Sequence, residues 1–218
     1  MLNIELRNIK PTYMAENEVA ASDVYCKKIN LEQGKKYLIK ANSGHGKSSV
    51  LNFIYGSNNK YDGSITMLSS RNNEDVQHNF LSTITDSRRS IFSYVFQDFK
   101  LFSQLTIWEN IKIKNNLTNY KTDTQIEDLI SQVGLANKKN QTIETLSIGQ
   151  RQRVAIIRAL CQPFKYLLLD EPFSHLDKEN ISILTEIIQK EVEAQKAGLI
   201  ITTLNNEYLF QYDSIFKL

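Results

Sequence analysis

Ala41-Asn42-Ser43-Gly44-His45-Gly46-Lys47-Ser48-Ser49 decides how the rest of this chain is read. The stretch follows an apolar run, Tyr37-Leu38-Ile39, and leads into Val50-Leu51-Asn52-Phe53-Ile54-Tyr55, which stops at Gly56-Ser57. A strand, a glycine-bearing turn and a helix are the setting in which G-x-x-x-x-G-K-[ST] signals phosphate binding. Glycines let the backbone curl so that several N–H groups point into one concavity, and the helix N-terminus adds partial positive charge there. Asn42, Ser43, Gly44, His45, Gly46, Lys47, Ser48 and Ser49 are therefore the candidate polyphosphate site. Lys47 is placed to reach the β- and γ-phosphates, and the Ser48 hydroxyl to hold Mg²⁺. Ala41 stands where the pattern has its first glycine, at the strand end rather than against phosphate. The plain alternative is a Gly/Ser turn capping an ordinary helix.

The totals bound the remaining possibilities. A chain of 218 residues fits one domain, or one domain carrying an inserted subdomain. Its 41% hydrophobic and 23% charged residues are ordinary for a globular protein. A net charge of +2 makes no strong field and gives no reason to expect nucleic acid. The two cysteines, Cys26 and Cys161, have no C-x-x-C spacing and read as free thiols in a reducing compartment. Met1 to Leu6 alternates like a strand, without a signal-peptide core, and no apolar run approaches the ~20 residues of a membrane span. The expectation is a cytoplasmic protein whose membrane role, if any, comes through a partner.

Strands are expected over Asn3–Asn8, around Tyr25–Leu31 and over Lys36–Lys40, with a polar connection from Pro11 to Ser22. Tyr13 in that connection is either an adenine-stacking aromatic or a half-buried loop tyrosine, and Tyr25 is its rival. After the phosphate loop, Asp62–Met67 reads as a turn and a short strand. Ile91–Phe96 is an apolar run ending at Gln97, whose side-chain carbonyl is suited to ligate Mg²⁺ or the attacking water. The chain then turns helical. Thr124-Gln125-Ile126-Glu127 has a capping-box pattern, and Ile126, Leu129, Ile130 and Val133 form one stripe that stops at Gly134.

Leu146-Ser147-Ile148-Gly149-Gln150 opens another helix. Ser147 and Gln150 form a capping box that needs no ligand, yet Ser147, Gly149 and Gln150 at a helix start also make a second anion site. Tyr166-Leu167-Leu168-Leu169 is a buried strand ending in Asp170-Glu171. Acids at a strand's carboxyl end lie where open α/β sheets bind ligands. Asp170 is the candidate Mg²⁺ holder, and Glu171 the base for the water attacking the γ-phosphate. A helix from Lys178 to about Ala197, ended by Gly198, precedes a strand over Leu199–Leu204, and a last strand covers Asp213–Leu218.

Taken together, these segments resemble the nucleotide-binding subunit of ATP-binding cassette (ABC) transporters along nearly the whole chain. Ala41–Ser49 is similar to the Walker A loop, Gln97 to the Q-loop, and Leu146–Gln150 to the LSGGQ signature. Leu167–Glu171 is similar to Walker B with its catalytic glutamate, and Ser174–Asp177 to the D-loop. Phe96–Phe102 with Leu105–Ile111 is most similar to the ATPases of lipoprotein-release and macrolide-export systems, a pattern the cell-division ATPase shares. The resemblance implies an α/β P-loop NTPase core with an N-terminal antiparallel β subdomain and an inserted α-helical subdomain. Residues 1–97 and 161–218 would form the β subdomain and ATP-binding core, and 98–160 the helical subdomain.

The same resemblance implies ATP and Mg²⁺ as cofactors, with Glu171 and Gln97 catalytic and Ser48, Gln97 and Asp170 around the metal. A second copy would face the first head to tail, so that Ser147 and Gly149 meet the other subunit's nucleotide. Integral membrane transporter subunits would dock beside the Q-loop, near Phe99, Phe102 and Trp108, holding the chain on the inner face of the membrane. Three residues depart from the pattern: Ala41, Ile148 at the third signature position, and Leu204, or else Asn205, where the family carries a histidine. The third departure leaves two readings, a transport ATPase and an ATP-dependent switch with little turnover that signals through a membrane partner.

Overall fold

Alternation and continuous apolarity divide the strands into two kinds of sheet. In the computed structural model, which describes residues 1–42, 44–69, 88–204 and 207–218, they do so as two separate layers. The first is antiparallel: β1 (Leu2–Pro11) lies between β2 (Lys28–Glu32) and β4 (Tyr61–Ser69). Ile4 pairs with Leu31 on one side and Met67 on the other, and Leu6 with Ile29 and Ile65. Period-two alternation thus delivers one apolar face.

The second sheet is parallel, in the order β5 (Phe92–Val95), β6 (Tyr166–Asp170), β7 (Gly198–Thr203), β3 (Lys36–Lys40), β8 (Ser214–Lys217). Its strands are apolar at successive positions because each face has its own core. Leu168, Ile200, Tyr37 and Ile39 face a cluster built from the antiparallel sheet and α2 (Lys47–Tyr55), including Val50, Leu51 and Phe53. Leu167, Leu169, Leu199, Ile201 and Leu38 face the opposite cluster with the remaining helices. A polar residue inside β6 would have no solvent face to turn to. The Tyr166 hydroxyl, fully buried, donates to the carbonyls of Leu2 and Leu31 at 2.7 and 2.8 Å and so ties the two sheets together.

Between β1 and β2 the chain makes one short turn of helix, α1 (Glu16–Val19), inside the stretch expected to be a plain polar connection. The strand expected around Tyr25–Leu31 begins only at Lys28, because Cys26 adopts φ 55° and Tyr25 turns into the core. The helical block comprises α3 (Ile107–Asn115), α4 (Asp123–Gln132) and α5 (Ile148–Leu160). Its stripe Ile126, Ile130 and Val133 joins the same core as Val154, Ile156 and Ile157 of α5.

Two terminus expectations need correction. The capping box of α4 is Thr122 with Gln125, not Thr124 with Glu127. The last long helix, α6 (Lys178–Ala194), ends before Gly198: Lys196 takes the left-handed conformation (φ 51°) and Gly198 is already the first residue of β7. Glycine is needed there for another reason, since a Cβ would come within 2.6 Å of the Tyr166 ring. Ser43, Asn205 and residues 70–87 lie outside the described residues.

Candidate functional site

Parallel strands put their carboxyl ends along one edge, and the register brings four of the singled-out segments there. Lys40 pairs with Thr203, Asp170 with Thr202, and Val95 with Leu169. The loop after β3, the acids ending β6, Gln97 after β5 and Leu204 after β7 therefore open on a common side. A cleft of about 690 Å³ lies among them, with Ser48, Gln97 and Asp170 in its wall.

Lys47 is at the centre, its side chain only 5% exposed. Its ammonium donates to the carbonyl oxygens of Ala41 (2.9 Å) and Asn42 (3.0 Å) and lies 3.4 Å from Glu171 Oε1. The loop that presents it is built on Gly44 (φ 84°) and Gly46 (φ 81°). Gly46 is doubly constrained, since a Cβ would meet the Tyr25 hydroxyl at 2.4 Å, and that hydroxyl donates to the Gly46 carbonyl at 2.7 Å. Tyr25 is thus a buried support under the loop and not a base-stacking candidate. Tyr13 is exposed at the loop's edge, with its hydroxyl 2.7 Å from Ser49 Oγ. Asn42, Gly44 and His45 are solvent-facing.

Asp170 is buried, and burial pushes its carboxyl above the usual range, opposed by hydrogen bonds from Ser48 and from Thr202, whose hydroxyl lies at 2.6 Å. Ser48 Oγ and Gln97 Oε1 are 3.5 Å apart. One carboxylate, one hydroxyl and one amide oxygen are the hard oxygen donors that Mg²⁺ takes when phosphates and water complete its shell. Among the described residues no three His, Cys, Asp or Glu side chains cluster to make an all-protein metal cage. The donor set fits Mg²⁺ bound together with a polyphosphate.

Glu171 sits at φ 47°, a conformation that is strained for a residue with a Cβ and tends to persist only where surroundings enforce it. Its N–H donates to the Thr202 carbonyl at 3.2 Å. From the other side, the fully buried Gln152 of α5 donates to the Glu171 carbonyl (3.1 Å) and to Ser174 Oγ (3.3 Å), and accepts from the His175 N–H (3.1 Å). Gln152 was not singled out from the sequence. The signal was present, since Gln152, Ala155, Ile156 and Ala159 share the buried stripe of α5 and one of them is polar.

The helix start at Ser147 is capped reciprocally: Ser147 Oγ accepts from the Gln150 N–H, and Gln150 Oε1 from the Ser147 N–H. Ser147 is exposed, and neither it, Gly149 nor Gln150 lines the cleft that holds Ser48 and Asp170. Gly149 instead packs on the loop after β6, where a Cβ would lie 2.8 Å from the His175 carbonyl oxygen. The aromatic trio separates. Phe99 is core, and Trp108 is half-buried with the Lys139 and Lys112 ammonium groups over its ring at 4.7 and 5.6 Å; Phe102 alone stands out, 54% exposed. No helix among the described residues is long and apolar enough to cross a membrane.

Comparison with known proteins matches residues 27–174 to the ABC transporter family model. The thiamine import ATP-binding protein ThiQ of Aliivibrio fischeri is 37% identical over 185 residues, spanning 84% of this chain and 75% of that protein. The methionine import ATP-binding protein MetN 1 of Acinetobacter baylyi is 30% identical over 214 residues, 94% of this chain but 56% of that protein, so the chain spans little more than half its length. Among solved structures, the dimeric structure of MJ0796, a bacterial ABC transporter cassette, superposes with a TM-score of 0.71 at 25% identity, covering 93% of this chain and 88% of that one.

Proposed function

Because the chain belongs to the ABC transporter family, we propose that it binds Mg-ATP at the loop before α2 and hydrolyses it in a head-to-tail pair with a second copy, driving membrane-spanning partner subunits. The observation that carries this reading is the meeting of Lys47, Asp170 and Glu171, two of them almost buried, at the carboxyl edge of a parallel sheet, with Lys47 3.4 Å from Glu171 and Asp170 in the wall of the adjoining cleft. Two carboxylates beside one ammonium leave a net negative charge, which a divalent cation arriving with the polyphosphate would offset. The loop N–H groups and Lys47 would take the β- and γ-phosphates. Ser48, Asp170 and Gln97 would hold Mg²⁺, which when bound neutralises charge on the phosphate oxygens.

Glu171 would then accept a proton from a water as that water attacks the γ-phosphorus, while the bond from phosphorus to the bridging oxygen breaks and ADP leaves. Glu171 lies 3.4 Å from the Lys47 ammonium, and a γ-phosphate would draw Lys47 away from it. Ser147 is exposed at the start of α5, and an exposed helix start of this kind is free to meet another copy's nucleotide. The dimeric assembly of the related cassette supports the same arrangement. Import is the role printed for the relatives, and their alignment supports a transport subunit of that general kind here.

A second reading, an ATP-operated switch with little turnover, is favoured by Leu204. An exposed apolar side chain directly follows β7, where the resemblance calls for a polar one to hold the attacking water. The test of the main reading is Glu171→Gln, which keeps the shape and removes the base. With Mg-ATP it should accumulate as a dimer on size exclusion while hydrolysis falls by the ~10²–10⁴ typical of lost acid–base catalysis. A variant that stays monomeric and hydrolyses at the parental rate refutes both roles.

A further inference from the structure

Of the segments that leave the parallel sheet at its carboxyl edge, the one after β7 begins with Leu204, 44% exposed and unable to donate a hydrogen bond to a phosphate. The loop after β6 carries the opposite case, an exposed imidazole, His175, that is anchored on three sides. Its backbone N–H donates to Gln152 Oε1 at 3.1 Å. Its Nδ1 lies 2.8 Å from Ser174 Oγ. Its ring meets the Phe99 ring edge to face, with centroids 6.4 Å apart.

The anchoring assigns the ring's proton. Gln152 donates to Ser174 Oγ at 3.3 Å, which leaves the serine's own proton free for Nδ1. With Nδ1 accepting, a neutral ring carries its hydrogen on Nε2. Among the described residues Nε2 has no partner, and no acid pairs with the ring. A solvated surface histidine gains nothing from being held in one orientation, since ordering a side chain costs entropy. A donor that is fixed in place and left open is of use where negative charge arrives from outside.

The neighbouring helix start indicates which charge that is. The His175 carbonyl lies against Gly149, where a Cβ would come within 2.8 Å of its oxygen, so the loop that carries the imidazole packs on the exposed start of α5 at Ser147. On the head-to-tail reading, that helix start meets the other copy's nucleotide. We propose that His175 accompanies it and donates from Nε2 to the γ-phosphate held by the second copy, supplying across the interface a contact that Leu204 of the copy holding the nucleotide does not make. This rests on the head-to-tail reading and adds a residue to it. His175 makes and breaks no bond in this role. The attacking water stays with Glu171, and the imidazole N–H offsets charge on the phosphate oxygens.

The test uses the full chain in the Glu171→Gln background, where ATP should hold the dimer, and measures the dimer's Kd by sedimentation with Mg-ATP. His175→Phe keeps a ring against Phe99 and removes the donor. It should raise Kd about a hundredfold, roughly tenfold for each of two identical contacts to a charged group. His175→Gln, whose side-chain N–H extends about as far as Nε2, should recover most of that loss. The Tm of the nucleotide-free monomer should stay near the parent's in both variants. Mixed pairs then show which copy the histidine serves. Each joins a Lys47→Ala copy to a copy with Lys47 intact, at an ATP concentration that fills only the intact one. The pair should be about tenfold weaker when His175→Phe is on the Lys47→Ala copy than when it is on the other.

A His175→Phe dimer as tight as the parent's overturns the inference, as does a mixed-pair loss that follows the copy holding the nucleotide. Either result leaves the head-to-tail reading standing, because the dimer still forms. Absence of any ATP-dependent dimer with His175 in place sinks that reading, and the inference with it.

Discussion

Gln152→Ala should damage turnover more than any contact count on Glu171 suggests. The side chain is fully buried and makes three hydrogen bonds, donating to Glu171 O and Ser174 Oγ and accepting from the His175 N–H. Alanine leaves the His175 N–H without its partner and the Glu171 carbonyl with only the 3.4 Å bond from the Ser174 N–H, and an unsatisfied group costs ~1–3 kcal/mol. A loss of about 1–3 kcal/mol follows, which in a domain of this size lowers Tm by roughly 2–12 °C. The functional loss has a separate origin. Glu171 is held at φ 47°, a strain of ~1–3 kcal/mol that needs enforcement, and Gln152 holds its backbone together with Thr202 and the Ser174 N–H. Released, the loop relaxes and the carboxylate leaves its position, so kcat should fall about 10–100-fold with the affinity for Mg-ATP unchanged. Phosphate release at a temperature well below the variant's Tm, with ATP binding measured by calorimetry, separates the two effects. Gln152→Glu is the companion: it can still accept from His175 but cannot donate to the Glu171 carbonyl, and it should share the kcat loss with a smaller loss of Tm. If kcat in the folded fraction equals the parent's for both variants, Gln152 only packs, and the positioning argument is wrong.

Lys47→Ala removes a charge-assisted contact worth ~1.5–3 kcal/mol, so ATP should bind about ten- to a hundredfold more weakly by calorimetry; parental affinity refutes the phosphate-loop assignment. Asp170→Asn should raise Tm of the nucleotide-free protein at neutral pH. Burial raises the carboxyl's folded pKa above its unfolded value, so its ionisation penalty is absent below the unfolded pKa and grows as pH rises through the folded one. The advantage of asparagine should therefore shrink in thermal melts at acid pH, and an advantage that grows there contradicts the sign. Leu204→His should raise a slow parental hydrolysis rate, since one missing preorganised contact costs ~10²–10³ in rate. Brisk parental turnover, unchanged by the substitution, would show that another group already holds the water.

What was legible in the sequence is what local chemistry demands at fixed spacing. A phosphate loop needs its glycines and lysine within a few residues, and a doubly covered strand must be apolar throughout, so Ala41–Ser49 and Tyr166–Glu171 could be read directly. The order of the parallel sheet could not, because β3 sits between β7 and β8 by contacts far apart in the chain. The start of α4 illustrates the same limit at short range. Thr122–Gln125 and Thr124–Glu127 are both competent capping pairs, and Asn115 favours the first by accepting from the Lys121 N–H and donating to the Lys121 carbonyl, both at 2.9 Å. Gln152 shows in the sequence only as the polar member of an apolar stripe, and what it holds is set by the loop folded against it.

The departures from the family pattern yield to the same reasoning. Ala41 is buried at the end of β3, its backbone does not enter the left-handed region, and its carbonyl serves Lys47, so nothing at that position uses a glycine's freedom. Ile148 and Gly149 are neighbours in the signature but face different constraints. Ile148 is 48% exposed. Gly149 lies against the His175 carbonyl, where a methyl group would be 2.8 Å from the oxygen, and that carbonyl belongs to the loop Gln152 pins to Glu171. Any residue larger than glycine at 149 would push the start of α5 off the loop that carries Glu171, whereas the side chain at 148 is half exposed. The tolerance of one position and the stringency of the next are thus set inside a single copy, before any second nucleotide is met.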